Sequence, residues 1–171
     1  MSRFTVTGDG HVVFDDGGMN LLSSAALREL LEVLSRLRGC EFSSGRPALF
    51  AAGADMAEMA SFTAADAFAF STLGQSVMNA IESLPGTTIA YIDGDCFGGA
   101  LDLALAFDRR IATPRSRFSH PGARLGIVTG FGGTTRWRKV LTPASARQLF
   151  LANRVFGAAE ALEMGLVDLV G

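Results

Sequence analysis

Apolar residues recur along the chain with two different periods. Leu27, Leu30, Leu31, Leu34 and Leu37 fall three and four apart, which predicts an amphipathic helix. Ser23 or Ser24 is suited to cap its start and Gly39 to stop it. Before it, Phe4-Thr-Val-Thr and His11-Val-Val-Phe14 flank Gly8-Asp-Gly10, the pattern of a hairpin that Asp15-Asp-Gly-Gly18 ends. Glu41-Phe-Ser-Ser and the apolar Leu49-Phe-Ala-Ala-Gly53 are short strand candidates, and Asp55 to Met59 reads as helical. A long helix is expected from a Thr63 cap towards Leu84, where Pro85-Gly86 breaks it. Thr87 to Ile92 predicts a buried strand, Leu101 to Phe107 a helix and Arg109 to Thr113 another strand. Residues 136–141, 144–151 and 158–164 complete the helices. Strands and helices alternate throughout, so the expected class is α/β, in a single domain spanning 1–171.

Composition narrows the function classes. Hydrophobic residues make up 49% and charged residues 19%, a globular balance. A formal net charge of −2 gives no reason to expect nucleic acid or an acidic membrane as a partner. Cys40 and Cys96 are too few for a disulfide framework and show no metal-ligand spacing, so a cytoplasmic setting and no metal are expected. The start of the chain lacks the apolar core of a signal peptide.

At two places an apolar strand gives way to glycine and then to helix: Ala51-Ala-Gly53-Ala-Asp-Met and Phe97-Gly-Gly99-Ala-Leu-Asp. Such a corner points backbone N–H groups outward at the positive end of a helix dipole. Taken singly, each is a packing turn; side by side, two of them form an oxyanion hole. Spacing alone leaves open whether they meet. Gly130-Phe-Gly-Gly133 lacks the spacing of a dinucleotide-binding loop, and its glycines are expected to let a helix start close to the site.

Four ordered stretches carry a resemblance. Phe50-Ala-Ala-Gly-Ala-Asp-Met-Ala-Glu-Met59 resembles the first signature of the crotonase (enoyl-CoA hydratase/isomerase) superfamily. Residues 90–108, centred on Gly94-Asp-Cys-Phe-Gly-Gly-Ala-Leu-Asp102, resemble the second. Phe118-Ser-His-Pro-Gly-Ala-Arg-Leu-Gly126 and the following residues to Arg136 resemble the third, and Ala159 to Asp168 is similar to the closing pattern. The resemblance implies a spiral of repeated ββα units that binds an acyl-CoA thioester, with coenzyme A part of the substrate and no further cofactor. By position, Ala54 and Gly99 would hold the thioester oxygen as an enolate forms. Ala52, Gly53, Asp55, Met56, Gly98, Gly122 and Phe131 would line the substrate. A Cβ at Gly98 or Gly99 is expected to crowd the thioester.

Asp102 lies one helical turn past Gly99 and is the expected acid or base. The family usually has a glutamate there. The nearby helix start is expected to keep Asp102 ionised near neutral pH. In the third signature, the second glutamate usual in hydratases is replaced by Gly122, which has no proton to give. His120 is the nearest titratable substitute, or else a hydrogen-bonded structural residue, and Arg124 is a surface or CoA-phosphate contact. The resemblance also implies a fuller core strand than Gly39 to Pro47 offers. It implies further helices after Asp168 that build a trimer and cover the acyl site; without them, exposed apolar surface is expected. The leading reading is a 2-enoyl-CoA hydratase acting through an enolate. Double-bond isomerisation and decarboxylation of a malonyl-type thioester are alternatives, and a non-catalytic acyl-CoA-binding or assembly partner is the competing class. A homo-oligomer is expected.

Overall fold

The computed structural model describes residues 2–152 and 154–171. The hairpin forms as expected: β1 (Phe4–Val6) and β2 (His11–Phe14) are antiparallel, with Phe4 opposite Phe14. After β3 (Leu21–Leu22), α1 (Ser24–Leu34) is capped by Ser23, whose side chain accepts the Ala26 N–H. Leu27, Leu30 and Leu34 are its buried face. This helix ends at Leu34, short of Gly39. The glycine there serves a different need, because a Cβ on Gly39 would lie 2.9 Å from the Thr87 carbonyl oxygen.

The strand candidate Glu41-Phe-Ser-Ser forms as β4 (Cys40–Ser44), so the short stretch from Gly39 to Pro47 does hold a core strand. The chain continues through β5 (Leu49–Ala51), β6 (Gly53–Ala54), α2 (Met56–Met59) and α3 (Ala64–Glu82). Thr63 and Asp66 close a capping box at the start of α3, so the start of the predicted long helix is locally encoded, as its proline-glycine stop is. Then come β7 (Thr88–Ile92), β8 (Asp95–Phe97), α4 (Gly99–Ala104), β9 (Arg109–Ala112) and β10 (Arg117–Ser119). A 3₁₀ turn at Pro121–Leu125 precedes α5 (Gly133–Arg136), a second at Trp137–Lys139, and α6 (Pro143–Leu151). β11 (Phe156–Gly157), α7 (Ala158–Glu163) and β12 (Leu169–Val170) complete it.

Two sheets grow together. The larger has the order β1-β2-β4-β7-β9-β12 and the smaller β11-β10-β8-β5, while β3 and β6 pair separately. Each turn of the chain adds a strand to the large sheet, then one to the small sheet: β4 then β5, β7 then β8, β9 then β10. In both sheets these successive strands are parallel. This is the expected ββα spiral. Phe42 on the central β4 packs against Phe50 on β5 at 5.8 Å and against Phe107 at 5.6 Å, between ring centroids, so the core runs between the sheets. Arg110 on β9 is buried in this core. Its guanidinium donates to the carbonyls of Phe107 at 2.7 Å and Leu166 at 2.8 Å, and to Asp168 Oδ2 at 2.8 Å. Those bonds tie the segment before β12 to β9.

Candidate active site

The three parallel strands of the small sheet end side by side, with Ala51 paired to Cys96 and Phe97 to Ser119. The residues that leave these ends are Ala52-Gly53-Ala54, Gly98-Gly99 and His120-Pro121-Gly122. Ligands of parallel sheets gather beyond such carboxyl ends. Here the two glycine corners meet. A Cβ on Gly53, whose φ is +98°, would stand 2.5 Å from the Phe97 oxygen and 2.9 Å from the Gly99 nitrogen. A Cβ on Gly99 would stand 3.4 Å from the Ala54 nitrogen and 3.0 Å from the Phe131 ring. The adjacency that spacing left open is therefore a property of the fold. No protein atom comes nearer than 4.0 Å to a Cβ placed on Gly98, which faces the cavity beside the corners. Its φ of +55° with ψ −124° is a second reason for glycine there, because a side chain is strained in that conformation.

Beside the corners lies a cavity of about 310 Å³. Ala52, Ala54, Gly98, Gly99 and Asp102 line it, together with the apolar Met56 and Phe131 and with His120 and Gly122. Two expected lining residues are placed elsewhere. Gly53 is buried behind the wall, where it allows the close approach of β6 to α4. The carboxylate of Asp55 turns away to cap α2, accepting the N–H groups of Ala57 at 3.0 Å and Glu58 at 3.1 Å. Arg124 is exposed on the surface.

Asp102 is 1% exposed. Its Oδ2 accepts the Thr129 hydroxyl, and its Oδ1 has no hydrogen-bond partner. Burial pushes the carboxyl up to about 7. The Thr129 hydroxyl, the amide dipoles of Phe131 and Gly133 and the charge of Arg136 pull the other way without offsetting burial. The expectation of an ionised Asp102 is thereby corrected. A short helix start stabilises an exposed anion by less than about 1 kcal/mol, too little against removal from water. The glycine-rich connection explains how a chain fits against this carboxyl: a Cβ on Gly133 would overlap Oδ1.

His120 is also buried, and burial lowers its pKa, so the imidazole is neutral near neutral pH. The wall between His120 and Phe131 is anchored from outside. Arg136 donates to the Phe131 carbonyl at 3.0 Å, to Glu82 at 2.8 Å and to Asn79 at 2.5 Å, which pins the wall to α3. Ser71 and Gln75, also on α3, donate to the Gly130 carbonyl at 2.7 and 2.8 Å. Phe131 in turn packs against Phe70 at 5.2 Å, between ring centroids.

Residues 10–171 match the family model described as enoyl-CoA hydratase/isomerase. The chain belongs to this family. Among curated relatives, a crotonyl-CoA hydratase of Syntrophomonas wolfei is 41% identical over 121 residues, which are 71% of this chain and 46% of that protein. The chain thus spans about half the length of the curated relative it matches. An enoyl-CoA hydratase structure from Bacillus anthracis superimposes with a TM-score of 0.92 at 29% identity, over 99% of this chain and 70% of that one. The structure of Pseudomonas aeruginosa DspI gives 0.94 at 26% identity, over 100% and 74%. The crotonase-like fold expected from the four signatures is the observed one.

Thr129, the hydroxyl donor to the buried carboxyl of this family member, is not among the residues that sequence singles out. Its only local signal is a polar side chain between the apolar Ile127-Val128 and Gly130. Arg136 marks the end of a signature in the sequence, and only the fold gives it a role. No helix among the described residues is long and apolar enough to cross a membrane.

Proposed function

We propose that this protein acts on an acyl-CoA thioester through an enolate. The thioester oxygen sits between the N–H groups of Ala54 and Gly99, and Asp102 moves the proton at C2. The observation that carries this reading is the juxtaposition of the two glycine corners with a buried carboxyl in one cavity. Gly99 opens α4, where a backbone N–H has no intrahelical acceptor. Each donor of such a hole is worth roughly 3–4 kcal/mol in the transition state. A carboxyl with a pKa near 7 both holds and releases a proton at neutral pH, which suits acid–base work at carbon.

The favoured reaction is hydration of a 2-enoyl-CoA, the chemistry named for the relative from Syntrophomonas wolfei. Asp102 alone also suits double-bond isomerisation, in which one group takes a proton from one carbon and returns it to another; Gly122, without a proton of its own, favours that second reading. No cofactor beyond the coenzyme A of the substrate is part of the proposal. A homo-oligomeric, trimer-based assembly in the cytoplasm belongs to the same reading, supported by exposed apolar Val128, Leu125 and Leu151, and light scattering checks the assembly. The test of the chemistry is mass spectrometry of crotonyl-CoA and butyryl-CoA incubated with the protein in heavy water. Hydration or deuterium at C2, lost in Asp102→Asn, supports the proposal. Binding of both thioesters with neither change refutes it and favours a binding protein.

A further inference from the structure

A second cavity, of about 560 Å³, adjoins the one that holds the glycine corners and Asp102. His120, Ile127, Val128 and Thr129 line both. The first cavity, at about 310 Å³, is near the lower end of the range for ligand pockets, which begins at roughly 300 Å³. The thioester group, C2 and C3 must all lie in it to reach Ala54, Gly99 and Asp102. Little of it is then left for an acyl chain that runs on from C3.

Such a chain has two ways to go. Toward α3 the first cavity ends on packed aromatic rings. Phe70 lies 5.2 Å from Phe62 and 5.2 Å from Phe131, between centroids, and Phe131 presses so closely on α3 that a Cβ on Gly74 would overlap its ring. A chain extending that way would have to displace rings from a close-packed cluster. The second cavity is already open. To Ile127 and Val128 it adds Trp137, Pro143, Ala146 and Phe150, while its polar Thr134 and Arg147 are exposed to solvent. Apolar walls that no protein side chain covers gain most from an apolar occupant.

We propose that the second cavity seats the distal part of the acyl chain and makes the protein selective for straight-chain acyl groups of about octanoyl length over butyryl. This rests on the placement of the thioester under the reading above. Each methylene sheltered from water tightens binding by about fourfold. The methylenes that octanoyl adds to butyryl, even partly sheltered, should therefore give about tenfold or more.

The test is calorimetric titration of butyryl-CoA and octanoyl-CoA into wild type, Ala146→Phe, Thr134→Phe and Ala67→Phe. The first two variants place a ring in the second cavity, Thr134→Phe from an exposed position that the fold should tolerate, and the third places one in the first cavity on the α3 side. Wild type should bind octanoyl-CoA at least about tenfold more tightly than butyryl-CoA, and that ratio should fall by about tenfold in Thr134→Phe and in Ala146→Phe, with circular dichroism native. Equal affinities in wild type overturn the inference. So does a ratio that falls in Ala67→Phe alone, which sends the chain along α3, or one that no variant lowers, which places the chain elsewhere. A ratio kept in Thr134→Phe and Ala146→Phe while light scattering shows a changed assembly also overturns it and marks this face as a contact between copies. Because the readout is binding, length selectivity without C2 exchange in heavy water refutes the enolate reading and leaves this inference standing. Exchange without length selectivity does the reverse.

Discussion

Replacing Asp102 by asparagine changes the pH dependence of stability in a direction set by burial. The carboxyl titrates from an ordinary 3.8 in the unfolded chain and from about 7 in the folded one. Between these values the native state binds more protons than the unfolded state, so stability falls as pH rises. The contribution is fully present below pH 3.8, erodes through the window and is gone above 7. The span of roughly 3 pH units at about 1.4 kcal/mol each comes to about 4 kcal/mol. The amide side chain in the variant does not titrate, and its oxygen still accepts the Thr129 hydroxyl. Its nitrogen takes the place of an oxygen without a partner, which costs about 1–3 kcal/mol at every pH. The diagnostic is thus the difference between wild type and Asp102→Asn as a function of pH, in which the other titrating groups cancel. Urea unfolding from pH 4 to pH 8 should show wild type losing about 4 kcal/mol relative to the variant, equivalent to about 10 °C in Tm. A difference that stays flat across this range would refute the reasoning, because it would mean that the folded carboxyl titrates like a solvated one.

Three further substitutions test other parts of the structure. Gly99→Val places a branched Cβ between the Phe131 ring and the Ala54 amide; C2 exchange should fall by about 100-fold or more, with thermal unfolding showing a folded protein. Thr129→Val removes a hydroxyl that lowers the Asp102 pKa, so the pH at which C2 exchange of butyryl-CoA sets in should move upward, a shift read from the pH–rate profile. Asp168→Ala leaves the buried Arg110 without its carboxylate and should destabilise by about 3–5 kcal/mol in denaturant unfolding, whereas an exposed pair such as Arg36–Glu32 should contribute less than about 1 kcal/mol.

The long helices were legible because their evidence is local. Leu27, Leu30 and Leu34 define one face within two turns, and Thr63 with Asp66 caps α3 by bonds across three residues. The hairpin of β1 and β2 was legible for the same reason. The strands β8, β10 and β12 were not: they are two or three residues long, and parallel partners far along the chain define them. A stretch so short carries no period of its own. β4 was undervalued because Glu41 and the serines look polar, although Phe42 is fully buried at the centre of the large sheet. At the site, the positions of Ala54, Gly99, Asp102 and His120 were readable from the strand–glycine–helix pattern and the family resemblance. Asp55 was expected to line the substrate, whereas its carboxylate caps its own helix, and the backbone conformation that calls for glycine at 98 has no local signal.

What the sequence by itself determined was therefore the class of fold, the helix faces and caps, and which residues stand at the ends of strands. Each follows from neighbours within a few residues, where periodicity and hydrogen-bonding reach are enough. Tertiary structure alone decided that the two glycine corners touch, that Thr129 meets Asp102, and that the carboxyl sits out of water with a pKa near 7 rather than as the anion a helix start favours. Desolvation is a sum over everything that surrounds a group. Here the surroundings come from α4 and from the wall at residues 129–133, and no local pattern records what will be packed against a residue from that far away.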